Sequence, residues 1–107
     1  MSYKVLNLEQ YLLAKLAEEC AEIAQMALKS SYFGLDEVKQ GGDISNRQRL
    51  NSEIDDLLII LTFMQVYRVF EYEPESEKST LAKKLKIEKY WDLATFRGNV
   101  VKREEHD

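Results

Sequence analysis

Residue types that mark several protein classes are scarce in this chain of 107 residues. The only cysteine, Cys20, excludes an internal disulfide bond and is typical of a reducing compartment. The only histidine, His106, lies in the charged C-terminal tail. The formal net charge is −4 and no basic tract is present, so the composition argues against a protein that binds duplex nucleic acid.

Long apolar segments are missing as well. The most apolar stretch, residues 57–64, is far too short to cross a bilayer, and the first residues, Met1–Lys4, lack the apolar segment of a signal peptide. We therefore expect a cytoplasmic protein with no membrane partner. Hydrophobic residues at 45% and charged residues at 32% are typical of a soluble globular chain, and the length predicts one domain over residues 1–107.

Proline and glycine are few, and they fall between segments with the periodicity of amphipathic helices. The pattern predicts three helices, with Asn7 capping the first and Ser45 or Asn46 capping the second. The three segments run from Leu8 to Lys29 with an end near Gly34, from the second cap to about Phe70, and from about Ser79 to Phe96 with an end at Gly98. We therefore expect an all-α protein.

The middle of the second predicted helix, residues 57–64, is apolar on nearly all sides. A helix of this kind is buried on every side. Three or four helices of one small chain can hardly enclose it, which favours a subunit interface over a central helix within a single bundle. A buried β-strand is the competing interpretation of such a run, but the helical pattern on both flanks opposes it.

Two acidic clusters with matching spacing lie in the first and second predicted helices. Glu19 and Glu22 are three residues apart, as are Glu53 and Asp56, so each pair shares one helix face. Both pairs are flanked by residues that should face a core, where an uncompensated carboxylate is costly. Asp55 points away from its neighbours by about 100° and is expected to be solvated or ion-paired.

For one such pair, the simplest explanation is a solvated helix face. The presence of two pairs with matched spacing makes that explanation weaker. Carboxylate oxygens suit hard divalent cations such as Mg²⁺ or Mn²⁺. A di-iron bundle also places carboxylates on facing helices, but it requires Glu-x-x-His pairs, which His106 in the tail cannot supply. The residues therefore favour a divalent-cation site and leave a solvated acidic face as the alternative.

The order and spacing of these acids carry a family resemblance. Glu18-Glu19-x-x-Glu22, a spacer and then Glu53-x-x-Asp56 resemble the EExxE…ExxD signature of the MazG-like all-α nucleoside triphosphate pyrophosphohydrolases. That superfamily includes dimeric dUTPases and phosphoribosyl-ATP pyrophosphohydrolases. Matching flanks extend the resemblance over residues 16–64, about half of the chain, although Asp55 stands where a small residue is common in relatives.

The resemblance implies an oligomeric helical bundle whose four-helix core forms with a partner subunit, as a homodimer or a homotetramer. It also implies a hydrolase that cleaves a (deoxy)nucleoside triphosphate to a nucleoside monophosphate and pyrophosphate, in nucleotide-pool control. All five acids would then be catalytic. Glu19, Glu22, Glu53 and Asp56 would bind Mg²⁺, with Mn²⁺ as the alternative, and Glu18 would orient or deprotonate the attacking water.

Basic residues should complement the phosphates of such a substrate. Lys86 and Lys89 lie on the lysine-rich face of the third predicted helix, and Tyr90 beside them is a candidate for packing against substrate. A solvated lysine face is the simpler alternative. No residue pattern selects the base, and the Gly41-Gly42 loop lacks the Gly-x-x-x-x-Gly-Lys pattern of a phosphate-binding loop.

Two other functions remain open from the sequence. A non-catalytic helical module would use its apolar second helix to oligomerise or to bind a partner, with its acids exposed to solvent. A phosphoribosyl-ATP pyrophosphohydrolase would fit the same acidic signature with a different substrate.

Overall fold

Three α-helices make up the regular structure of the chain in the computed structural model, which describes residues 5–102. They are α1 (Leu8–Phe33), α2 (Asn46–Val66) and α3 (Glu77–Phe96). Within residues 5–102 there is no β-strand, and the only extended pairing is an isolated antiparallel bridge between Val38 and Ser45. The predicted all-α class is therefore confirmed.

The chain divides into two compact units, Met1–Tyr72 with α1 and α2 and Glu73–Asp107 with α3. The single domain expected over residues 1–107 stays a prediction. His106 lies outside the described residues. None of the three helices is long and apolar enough to cross a membrane, in the part of the chain that the structure describes.

Side-chain caps fix the starts of α1 and α2 where the sequence predicts them. The Asn7 side chain accepts a hydrogen bond from the Gln10 amide at 2.8 Å, and the Gln10 side chain accepts one from the Asn7 amide at 3.1 Å. Ser45 and Gln48 form the same reciprocal capping box at α2. These bonds satisfy amides that a helix N-terminus otherwise leaves unpaired, so both predicted caps are confirmed.

The segment between α1 and α2 is tied to both helices by hydrogen bonds. Asn46, the first residue of α2, is 3% exposed, and its side-chain amide donates to the Gly34 carbonyl at 2.9 Å. Its backbone amide donates to the Glu37 carbonyl, and the amide of Arg47 donates to the Leu35 carbonyl. Because Gly34 caps the end of α1, these bonds fix the start of α2 relative to the end of α1.

The two helices of the first unit pack against each other as an antiparallel pair. Glu19 on α1 lies near Glu53 on α2. Met26, about two turns further along α1, shares a cleft with Gln48, which comes earlier on α2. Residue numbers therefore rise along one helix as they fall along the other, and side chains from the middle of α1 face side chains from the first half of α2.

The apolar core of this helix pair is small. Among the described residues, its buried apolar side chains are Leu12 and Met26 on α1 and Met64 on α2. Ile59 and Phe63 on α2 remain 51% and 46% exposed. The enclosure of α2 on all sides that its sequence predicts is therefore not reached within the described chain.

The C-terminus of α2 lies before the predicted end near Phe70. Arg68 takes a left-handed backbone conformation with φ of +58°. The amide of Val69 donates to the carbonyl of Met64, and the amide of Arg68 donates to the carbonyl of Gln65. These bonds form a Schellman motif, which closes the helix. The longer helix was a wrong prediction, because a non-glycine residue occupies the left-handed position where glycine is usual.

The ends of α3 are closed by residues of the expected types. Gly98, with φ of +78°, follows the last turn, and the amides of Gly98 and Asn99 bond to carbonyls of that turn. The predicted end at Phe96 is confirmed. The start comes slightly before the predicted Ser79, because the Ser76 side chain accepts a hydrogen bond from the Ser79 amide at 3.2 Å and so caps the helix.

Candidate metal centre

The antiparallel packing of α1 and α2 brings two pairs of carboxylates together. Glu19 and Glu22 project from one face of α1, and Glu53 and Asp56 project from the facing side of α2 because each pair is three residues apart. One carboxylate oxygen from each of the four lies within 4.8 Å of the others. The structure therefore collects the four side chains that the sequence nominates as metal ligands.

Burial divides these four side chains into two classes. Glu19 and Glu53 are half-buried, whereas Glu22 and Asp56 are exposed. One oxygen of Glu19 and one of Glu53, Oε2 in each case, is buried and has no hydrogen-bond partner among the described residues. The expectation that both pairs lie within a core is only half right, because the cluster sits at the edge of the helix pair.

The pKa values of the two half-buried carboxyl groups, Glu19 and Glu53, are raised. Burial raises the pKa of Glu19 above its ordinary value of 4.5, and the negative charges of Glu22 and Asp56 raise it further. A hydrogen bond between the carboxyl groups of Glu53 and Glu22 raises the pKa of Glu53, and burial adds to that effect. Both shifts have the same physical meaning, which is that the fully ionised cluster is unfavourable without a cation.

Two neighbouring acids lie outside the cluster. The Glu18 carboxylate forms an ion pair with the Lys15 ammonium at 3.0 Å, and the Glu18 side chain is 59% exposed. Asp55 is exposed, as its position on the helix predicts. The structure thus places Glu18 beside the carboxylate cluster, held by a lysine one turn away, and its assignment to the attacking water stays a prediction.

The predicted substrate-binding residues belong to the second unit of the chain. Lys86, Lys89 and Tyr90 all lie on α3, at spacings of three and four residues, and their side chains are exposed. They therefore share one face of that helix. Their contact with substrate stays a prediction.

A cleft beside the carboxylates contains residues that the sequence analysis missed. It has a volume of about 580 Å³ and is lined by Met26 of α1, Ile44 of the connecting segment and four residues of α2, namely Gln48, Arg49, Ser52 and Glu53. Glu53 thus belongs both to the carboxylate cluster and to the cleft wall. Arg49 precedes it by one helical turn, a spacing visible in the sequence, but the apolar wall comes from distant segments.

Comparison of the chain with protein-family models, with curated proteins and with solved structures finds no match.

The donor set fits a hard divalent cation. Four carboxylates offer oxygen ligands only, which suits Mg²⁺ and Mn²⁺ better than metals that prefer nitrogen or sulfur. A bound cation would also give a partner to the two buried oxygens that have none among the described residues, and it would offset the negative charge that adds to the raised pKa values of Glu19 and Glu53. The exposed position of Glu22 and Asp56 leaves the cluster open to a ligand from solvent.

The raised pKa values predict how the stability of the metal-free protein depends on pH. At a pH well below 4.5, Glu53 is protonated in both the folded and the unfolded chain, and no penalty arises. As the pH rises, the unfolded chain ionises first, so the folded state loses stability until the raised pKa of Glu53 has been passed. In EDTA at neutral pH, Glu53→Gln should therefore raise Tm by a few degrees, and this gain should vanish in acid.

Added Mg²⁺ should make the wild-type protein more stable than Glu53→Gln. At a hundred times its Kd, the cation should stabilise the wild-type protein by about 2.7 kcal/mol, and Glu53→Gln should lose most of this stabilisation. Asp55→Asn is the matched control, since it removes the same charge from the same helix outside the cluster. Thermal unfolding in EDTA and in Mg²⁺ measures both effects, and equal behaviour of the two variants would contradict the metal assignment.

Proposed function

We propose that this protein is a Mg²⁺-dependent pyrophosphohydrolase of (deoxy)nucleoside triphosphates. The observation that supports the proposal most is the convergence of Glu19, Glu22, Glu53 and Asp56 from two helices to within 4.8 Å. The order and spacing of these acids resemble the signature of MazG-like enzymes, which gives the cluster its proposed chemistry. In the cell, the reaction would control the nucleotide pool, and we place it in the cytoplasm.

The proposed reaction consumes one water molecule. The water oxygen forms a bond to one of the two phosphorus atoms that the bridging oxygen joins in the α- and β-phosphates, and the bond from that phosphorus to the bridging oxygen breaks. The products are a nucleoside monophosphate and pyrophosphate. The bound cation would neutralise charge on the triphosphate and lower the pKa of a coordinated water. The four carboxylates would hold the cation, and a net acidic chain would thereby accept a polyanionic substrate.

Glu18 is our candidate for the group that accepts the proton of the attacking water. It lies next in sequence to Glu19, so its carboxylate is close to the cluster without belonging to it. The ion pair with Lys15 at 3.0 Å restrains the carboxylate. A carboxylate held near a metal site is suited to act as a general base.

The face of α3 that carries Lys86, Lys89 and Tyr90 is our candidate for a second contact with the substrate. Two ammonium groups three residues apart on a helix can bind neighbouring phosphates of one polyanion. Tyr90, one turn beyond Lys86, offers an aromatic surface to the nucleoside.

We further propose that the chain assembles with copies of itself, as a homodimer or a homotetramer, through α2. Ile59 and Phe63 lie one turn apart on this helix and are half-exposed, and Val66 beyond them is 65% exposed. Apolar surface arranged along one helix in this way is typical of an interface. Pairing the α1–α2 hairpins of two chains would complete a four-helix core.

A non-catalytic oligomerisation or partner-binding module is the competing function, because the same exposed apolar face of α2 would serve it. Pyrophosphate release from a panel of NTPs and dNTPs, with and without Mg²⁺, separates the two functions. Phosphoribosyl-ATP belongs in the panel, since its hydrolysis needs the same acids. Metal-dependent release supports the enzyme, whereas no release from any compound, with no thermal shift in Mg²⁺ or Mn²⁺, supports the module.

Loss of one proposed ligand should abolish turnover without unfolding the chain. We expect Glu19→Gln and Asp56→Asn to lower kcat by about a hundredfold or more, since each removes a charge that holds the cation at the reacting phosphates. Asp55→Asn, a charge-matched change outside the cluster, should keep near-normal turnover. Pyrophosphate release by folded variants measures this, and normal Mg²⁺-dependent turnover by Glu19→Gln and Asp56→Asn would refute the assignment.

Removal of the α3 lysines should weaken substrate binding more than it slows the chemical step. Lys86→Ala and Lys89→Ala are each expected to raise KM by about tenfold, because each removes one charge-assisted contact with a phosphate. Lys84→Ala on the same helix is the matched control. Unchanged KM and kcat in both test variants would show that their lysines form a solvated face only.

A charged side chain on the exposed apolar face of α2, which carries Ile59, Phe63 and Val66, should dissociate the assembly. The wild-type protein is expected to show at least twice the 12.5-kDa mass of one chain, and Ile59→Glu should lower it to that of the monomer. Asn51→Glu, at an exposed polar position of the same helix, is the control. Size-exclusion chromatography with light scattering gives the masses, and a monomeric wild type at micromolar concentration would disprove the assembly.

A further inference from the structure

Arg49 occupies a position that neither the fold nor the carboxylate cluster explains. It lines the cleft next to Glu53, and its side chain has no hydrogen bond or ion pair with any other described residue. The neighbouring Arg47 is different, because its guanidinium pairs with the Asp36 carboxylate at 3.2 Å and does not line the cleft. Two arginines two positions apart on α2 therefore have different surroundings.

We propose that Arg49 binds a phosphate group of the substrate, and that the cleft it lines holds the part of the substrate next to the metal-bound phosphates. This inference rests on the proposed function and names a residue for phosphate recognition outside the acidic signature and outside α3. Of the described residues that line the cleft, Arg49 is the one cation. Guanidinium groups bind phosphate through paired hydrogen bonds, which gives both charge and geometry.

The cleft has the size and lining that this role requires. Its volume of about 580 Å³ falls within the range typical of small-ligand sites, about 300–1,000 Å³. Glu53 connects it to the carboxylate cluster, so a polyphosphate held at the carboxylates through a cation extends directly into it. Met26 and Ile44 supply an apolar wall, which suits the less polar nucleoside end of the same molecule.

Charge balance explains why an arginine is needed there. The four clustered carboxylates carry four negative charges when ionised, and a triphosphate adds several more, so one divalent cation leaves an excess of negative charge. A cation one helical turn from Glu53 reduces this excess on the substrate side of the cluster. A simpler role for Arg49 would be that of a counter-ion to Glu53, yet the two side chains form no ion pair in the described structure.

Inorganic tripolyphosphate is the probe that tests this inference, because it carries the phosphate chain without a base of unknown identity. Calorimetry in saturating Mg²⁺ should show binding to the wild-type protein and a loss of affinity of about tenfold or more in Arg49→Ala. Arg49→Lys, which keeps the charge but not the paired hydrogen bonds, should fall between them. Arg47→Ala should bind like the wild type, and Mg²⁺ affinity without polyphosphate should not weaken in Arg49→Ala.

The outcomes separate this inference from the proposed reaction. Equal tripolyphosphate affinity in the wild type and Arg49→Ala, or no binding by the wild type, would overturn the role of Arg49 even if triphosphates are hydrolysed. A parallel loss of Mg²⁺ and tripolyphosphate binding in Arg49→Ala would make Arg49 a support of the carboxylates and would also overturn it. Arg49-dependent binding with no hydrolysis of any panel compound would retain the phosphate site and reject the pyrophosphohydrolase.

Discussion

Repulsion among four carboxylates is the constraint on which the rest of this structure depends. One carboxylate oxygen from each of Glu19, Glu22, Glu53 and Asp56 lies within 4.8 Å of the others, and two oxygens of the cluster are buried with no hydrogen-bond partner among the described residues. The packing of α1 against α2 must therefore hold the four carboxylates together against their mutual repulsion. Burial raises the pKa of Glu19 and a hydrogen bond with Glu22 raises the pKa of Glu53, and in both cases the neighbouring negative charges raise the pKa further.

The connection between the helices supplies the restraint. The buried side chain of Asn46 bonds to the Gly34 carbonyl, so the first turn of α2 is fixed against the end of α1. Met26 on α1 and Met64 on α2 are buried and add apolar contact to this framework. A shift of one residue along either helix would turn its carboxylates by about 100° and disperse the cluster. The register of the hairpin is thus as important to the site as the acids themselves.

Local rules account for what the sequence predicts correctly here. Asn7 and Ser45 cap helices through their own side chains, and the three-residue spacing of the acids sets their faces. These rules do not predict the end of α2, because Arg68 adopts there the left-handed conformation that glycine usually adopts, as Gly98 does after α3. These rules do not predict the cleft either, because its wall joins Met26 to residues eighteen or more positions away, and no periodicity within one helix encodes that contact.

The smallness of the core supports the proposal that the acidic cluster serves binding rather than folding. Among the described residues, only Leu12, Met26 and Met64 are buried apolar side chains, so the α1–α2 pair has little stability in excess. Unpartnered buried oxygens and crowded charges subtract from it. Sequences that keep such a local conflict usually do so at functional sites. A solvated acidic face would need neither the buried oxygens of Glu19 and Glu53 nor their convergence from two helices, whereas the proposed cation site gives both a role.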